Sequence, residues 1–418
     1  MTLNHHLLAK ATTDSVLAKF KSGAWQCCKD IGIDFYRVGC ESTFPSPDAS
    51  FYDDAKKLMV SFEFKPPTET KRGILTGLGQ SIAYLNNSNL SYLIIPRRLE
   101  DFDIGLYMAD LFKNKIEDHL PIGLIVYEND TPTNVSLHHN VNALTKEAEF
   151  KAVANGRFWA KHQDLPIPLF HLLLHCYYLK KIGQIVDDAF AYCWQTFLVP
   201  SANLKTLNPN IILDISGKPI RTLSGVKNNL FFEKKFANAK KLKGKARRIS
   251  VVELESDSNT NFIGDNTYNS YKKNYVTFLK HLGVIDSNGN ITESGFKLYH
   301  LGLVNGPTSK IFYDYFTQAV LIIGHHLDLI FDLDNLCNKF RGIKTIKEVK
   351  DQMLNDYGAK GMIKRNPNRK VGEDSAVGFL KYEFILWNSL SLTVKTNGKP
   401  EISFNWKKIT EVCSLPDL

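Results

Sequence analysis

The chain has 418 residues, of which 44% are hydrophobic and 23% charged, and its formal net charge is +9. This is ordinary soluble globular composition, long enough for two or three domains, and the positive balance makes polyanions a reasonable partner class. The odd count of seven cysteines with no C-x-x-C spacing, the absence of a signal-peptide pattern at Met-Thr-Leu-Asn-His-His and the lack of any bilayer-length apolar run argue against a disulfide framework, a zinc ribbon, export and a membrane partner, and fit a reducing cytoplasm.

Residues 1–40 read as helical, from the spacing of Leu7, Leu8, Val16, Leu17, Phe20 and Trp25. A short strand, Phe35-Tyr36-Arg37-Val38-Gly39, comes next, and Glu41 follows it. The turn-rich stretch Phe44-Pro45-Ser46-Pro47 leads to Asp48. The apolar run Leu58-Met59-Val60-Ser61-Phe62 predicts a buried strand that continues into Glu63-Phe64-Lys65 and stops at Pro66-Pro67. Gly73 to Tyr84 reads as a helix and Ser91 to Pro96 as a strand. A further helix runs to about Ile116, and Ile122 to Tyr127 reads as a strand. Strand, helix, strand, helix, strand is the pattern of an α/β domain with a mixed sheet flanked by helices, assigned to residues 1–150. The polar stretch from Glu128 to Asn140 reads as its end.

Residues 151–266 read as a helical, aromatic region carrying a basic cluster, Lys240, Lys241, Lys243, Lys245, Arg247 and Arg248, and then an acidic, polar linker. Cations this dense belong to a solvated run or to a phosphate-binding track. Residues 267–418 read as a mainly α domain. Its first part has one helical face with Tyr271, Tyr275, Phe278 and Leu279, a glycine stop at Gly283, a short hairpin around Asn288-Gly289 and a new helix from Thr292. That order resembles a winged-helix unit, which often lays a helix in the major groove of DNA.

The chemistry concentrates at the end of the Leu58 strand. Glu63 and Lys65 lie two residues apart, so period-two geometry puts both on one face. Asp48 enters from the preceding turn. Two carboxylates with a lysine beside them suit a hard divalent cation and an attacking water. Acid-x-lysine triplets also occur at Asp54, Glu69, Glu149, Glu233 and Glu348, but none of those ends an apolar strand. Asp53 or Asp54 is the alternative first acid.

With Asp48, Glu63 and Lys65 in this order, and Gln80 and Tyr84 on the next helix, the segment 35–127 resembles the PD-(D/E)XK nuclease superfamily, most of all its type II restriction endonucleases. The resemblance implies that Asp48 and Glu63 bind Mg2+ and that Lys65 orients or polarises the attacking water. It also implies that Glu41 joins the site and that Gln80 packs against it. It further implies a site-specific double-stranded DNA endonuclease leaving 5′-phosphate and 3′-hydroxyl ends. Its partners would be DNA, a second copy for double-strand cleavage and a cognate DNA methyltransferase. A nuclease of a transposition or repair system and a non-catalytic DNA-binding regulator are the alternatives.

Other candidates read as structural. His171 and His175, four apart on a helix, have zinc-ligand spacing, but no glutamate stands beside His171. The pairs His5-His6 and His325-His326 carry no motif, and the second reads as core. Gly73, Gly77 and Gly79 lack the Gly-Lys-Ser/Thr of a phosphate loop and read as a glycine-tolerant helix start near the cleft.

Overall fold

The computed structural model describes residues 3–26, 34–39, 46–116, 119–141, 157–161, 166–186, 188–200, 202–203, 208–209, 212–222, 225–226, 233–259, 263–264, 266–364, 378–394 and 402–418. Helix α1 (Leu3–Lys21) precedes strands β1 (Tyr36–Val38), β2 (Ala49–Asp53) and β3 (Leu58–Phe64). Helix α2 (Lys71–Tyr84), β4 (Leu90–Pro96), α3 (Ile104–Lys115), β5 (Ile122–Glu128) and β6 (Thr131–His139) follow. The six strands form one mixed sheet in chain order. Neighbours β3, β4 and β5 run parallel, and the other adjacent pairs are antiparallel. Every residue of β3 and β4 is buried, as expected of parallel strands covered on both faces.

Alternation decides which side chain meets which cover. Leu93 and Ile95 of β4 and Leu124 and Val126 of β5 pack under α2 and α3 with Ile74, Met108 and Phe112. The opposite face is aromatic: Phe62 stacks on Tyr92 at 5.7 Å between ring centroids, and Phe20 of α1 meets Tyr92 at 5.9 Å. Glu63 has the parity of the α2 face, and Phe64 that of the α1 face.

The polar stretch expected to end the domain is instead the edge strand β6. Most of its side chains are not buried. Its place comes from backbone pairing to β5, which the hydrophobic pattern cannot register.

The chain goes on through α4 (Ile167–Lys181), α5 (Ala189–Cys193), α6 (Glu233–Lys241), α7 (Gly244–Asn259), α8 (Asn266–His281), α9 (Glu293–Asn305) and α10 (Lys310–Leu321). Then come α11 (His326–Lys339), α12 (Ile346–Ala359), α13 (Lys381–Ser389) and α14 (Trp406–Cys413). Between α8 and α9, Ile285 and Ile291 form an antiparallel bridge, and the Asp286 carboxylate accepts the Asn290 N–H at 2.8 Å. Thr292 caps α9, and a Cβ at Gly295 would lie 1.9 Å from the Val284 carbonyl oxygen, so only glycine lets α9 start there.

Two compact units result. One comprises Met1–Ala160, Gly324–Lys381 and Val394–Pro416; the other comprises Lys161–Ile323, Tyr382–Thr393 and Asp417–Leu418. The domains read from the sequence run consecutively, whereas these units interleave. Buried charge is one reason the first unit draws in residues after Gly324. Arg37 of β1, 2% exposed, pairs with Asp14 of α1 at 3.3 Å and with Asp328 of α11 at 3.1 Å. Lys10 pairs with Asp14 at 2.5 Å and Asp332 at 3.0 Å. Burial works against the charge on Asp328, yet Arg37 and His325 hold its carboxyl well below the usual range. The apolar stretch Tyr313 to Leu333 is helical but divided between α10 and α11, with His325 in the left-handed region at φ 54°. Among the described residues no single helix is long and apolar enough to cross a membrane.

Candidate active site

The end of β3 gathers four of the five side chains singled out as catalytic, and the backbone explains how. The Asp48 N–H donates to the Phe62 carbonyl at 3.0 Å, and the Asp48 carboxylate accepts the Phe64 N–H at 2.7 Å. The first acid is therefore fastened to the strand that carries the second. In a strand a residue's N–H and C=O point the same way, so the Phe64 carbonyl also faces the Asp48 side. On the other edge of β3, the Lys65 N–H continues the ladder to the Ile94 carbonyl. The next donor position holds Pro96, which has no N–H. The Tyr127 hydroxyl donates to the Lys65 carbonyl instead, at 2.9 Å.

Glu63 is 4% exposed. One of its oxygens accepts from the Lys65 ammonium at 2.8 Å, and the other meets the Tyr84 hydroxyl. Lys65 also donates to Gln80 Oε1 at 2.9 Å. The Tyr84 hydroxyl lies 3.0 Å from the Ser46 carbonyl as well; its single hydrogen serves one acceptor at a time. Burial, and then the Asp48 carboxylate, push the Glu63 carboxyl up to about 7, against the pull of Lys65.

Lys65 reaches its partners by crossing α2 at Gly77. A Cβ there would lie 2.6 Å from Lys65 Cε and 3.0 Å from Leu93 Cδ1. Gly77 is thus neither a phosphate loop nor a mere tolerance at a helix start: it is the gap through which the lysine runs.

The histidines of α1 complete the surroundings. His5 Nε2 stands 3.7 Å from Asp48 Oδ1, and the His5 ring packs edge-on against Phe64 at 5.6 Å. Among the described residues, the buried Nε2 atoms of His5 and His6 have no hydrogen-bond partner. Burial, then the neighbouring His5, lower His6 to about 4. Sequence reading missed His5, because a doubled histidine far upstream carries no spacing signal toward Asp48.

The donor set suits a hard divalent cation: two carboxylates, one of them raised in pKa by burial and then by the other, and a strand carbonyl on the same side. Among the described residues no group of three His, Cys, Asp or Glu side chains is arranged to hold a metal ion. Magnesium needs only one or two carboxylates and keeps several waters, so Asp48 and Glu63 meet its requirement.

Asp53 and Asp54 lie at the other end of the β2–β3 hairpin. Asp53 pairs in register with Leu58, and its carboxylate caps the turn through the Ala55 and Lys56 N–H groups at 2.9 and 3.0 Å. Asp54 pairs with Lys364. Glu41 lies outside the described residues. The basic cluster Lys240, Lys241, Lys243, Lys245, Arg247 and Arg248 is exposed throughout, spanning the end of α6 and the first half of α7 in the second unit. His171 and His175 both turn to Tyr299: His171 Nε2 meets its carbonyl at 3.1 Å and His175 Nδ1 its hydroxyl at 3.0 Å. His326 is a core residue, with Nε2 2.6 Å from the Ala160 carbonyl.

A scan against models of known protein families finds no match to this chain, and a search of curated proteins finds none either.

Proposed function

We propose that the chain is a Mg2+-dependent DNA endonuclease whose catalytic site is Asp48, Glu63, Lys65 and Gln80. The observation that carries this reading is the convergence of both carboxylates, the lysine and the Gln80 and Tyr84 helix on one strand end. Asp48 and Glu63, with the Phe64 carbonyl, would hold the cation, which supplies Lewis acidity and a water of lowered pKa when bound.

The chain's own groups do the rest. Lys65 has three N–H donors, and Glu63 and Gln80 take two. The third remains for the attacking water or a phosphate oxygen, where the ammonium stabilises negative charge developing on phosphorus-bound oxygens. Gln80 and the Gly77 gap fix the ammonium in position. Tyr84 holds the Glu63 carboxylate from the far side. Attack in line with the leaving 3′-oxygen gives a 5′-phosphate and a 3′-hydroxyl.

Double-stranded DNA is the substrate that the second unit favours. Its basic α6–α7 segment suits phosphates, and the α8–hairpin–α9 order is winged-helix-like. Site-specific cleavage in a restriction system, with a cognate methyltransferase, is the biological setting. The test is to incubate the purified chain with phage DNA and Mg2+ and to sequence the ends. Discrete 5′-phosphorylated ends that vanish with EDTA support the reading; intact DNA at every metal concentration overturns it.

A further inference from the structure

Helix α7 carries its charges against its own dipole. Lys245, Arg247 and Arg248 lie in its N-terminal half, and Glu253, Glu255 and Asp257 in its C-terminal half. No acid stands in the first turn and no base in the last, the reverse of what a helix dipole favours. Three and four residues beyond each cation stand Arg248 and Ile249, Ser250 and Val251, and Val251 and Val252, so no intrahelical ion pair forms at those spacings.

The same helix presents apolar side chains to solvent: Ile249 is 49% and Val252 62% exposed. Arg248 and Glu253 flank them and are exposed as well. At 100° per residue, Arg248, Val252, Ile249 and Glu253 fall in that order across one sector of the helix. The order is self-complementary on reversal: cation, apolar, apolar, anion, centred between Ser250 and Val251.

We propose that α7 pairs antiparallel with α7 of a second copy of this chain, about a two-fold axis passing between Ser250 and Val251. Ile249 of each copy packs on Val252 of the other, and Arg248 of each meets Glu253 of the other. The interface is isologous, so one surface serves both copies. The antiparallel arrangement sets each acidic half beside the partner's basic half and opposes the two dipoles, removing the conflict that an isolated α7 contains. The cations Lys241, Lys243 and Arg247 lie outside the pair, where phosphates can reach them. One helix pair is a small interface, so the dimer forms and separates readily. This pairing is independent of the nuclease reading.

The experiment is sedimentation of the full-length chain over a range of concentrations at low salt. The wild type should show a concentration-dependent monomer–dimer equilibrium. Arg248→Glu and Glu253→Arg should each raise the dissociation constant at least about tenfold, since each sets like charges together across a two-fold axis. The double variant R248E/E253R, and an equimolar mixture of the two single variants, should both recover dimer. A wild type that stays monomeric at the highest concentration overturns the proposal. So does a double variant and mixture no more dimeric than the singles.

Discussion

Around β3 and β1, charged side chains are buried and bonded to named partners: Glu63 to Lys65, Arg37 to Asp14 and Asp328, Lys10 to Asp332. Along α6 and α7, six cations stand in solvent within nine residues, Lys240 to Arg248. The difference is one of dielectric. Removing one partner of a buried pair strands the other, so single residues matter. Exposed cations are screened by salt and act together. The proposed catalytic centre is built the first way and the proposed phosphate track the second.

The sharpest way to break the buried region is Arg37→Ala, which leaves the buried Asp328 without its guanidinium partner. It should cost about 3–5 kcal/mol of stability, read as a lowered urea midpoint at neutral pH. A loss below about 1 kcal/mol, the scale of an exposed pair, would mean that water already reaches this network.

Acid should act next. His326 and His171 are buried, and burial lowers each to about 4, whereas an unfolded histidine titrates near about 6.5. Between those values the unfolded chain binds protons that the folded chain does not. The contribution of these two histidines is therefore complete above about pH 6.5 and falls as pH drops toward about 4, by up to about 3 kcal/mol per histidine. Urea unfolding from neutral pH down through this window measures it. His326→Gln should flatten the slope, and an unchanged slope would assign acid sensitivity elsewhere.

Gly77→Ala tests position alone, because it removes no charge. The new methyl should push Lys65 off Glu63 and Gln80 and lower the cleavage rate on the order of a hundredfold, the scale of an ångström's misplacement. DNA affinity should stay within about twofold, since the phosphate interactions proposed for the second unit are untouched. Unchanged cleavage would show that Lys65 does not need this path.

The smallest effect belongs to the exposed track. Neutralising Lys240, Lys241, Lys243 and Lys245 together should weaken binding to all DNA sequences alike. The slope of log K against log salt should become shallower by about one for each phosphate that is no longer neutralised. Binding isotherms on cognate and random duplexes decide it. An unchanged slope returns the segment to a solvated surface, and weakening on the cognate duplex alone would make it a reader of bases.

What was legible in the sequence follows the same division. The β3, β4 and β5 runs and the α2 and α3 helices announce themselves through apolar periodicity, and with them came Glu63, Lys65 and Gln80. The turn-rich stretch ending in Pro47 already put Asp48 ahead of Asp53 or Asp54, and register adds the geometry: pairing β2 with β3 sets Asp48 beside Phe64 and carries the other two to the opposite end. β6 was hidden because its partner is backbone. His5, Gly77 and the Arg37–Asp328 pair were hidden because each depends on a meeting of side chains across the fold, and neither propensity nor spacing encodes such meetings.

The most direct measurement compares Mg2+-dependent plasmid cleavage by Asp48→Ala, Asp53→Ala and Asp54→Ala beside the wild type, with DNA binding measured in parallel. The β3 site predicts that Asp48→Ala binds DNA but cleaves it about a thousandfold more slowly or worse, the scale of removing a principal stabiliser of transition-state charge. Asp53→Ala and Asp54→Ala should cleave as the wild type does. Normal cleavage by Asp48→Ala would contradict the assignment of the metal site.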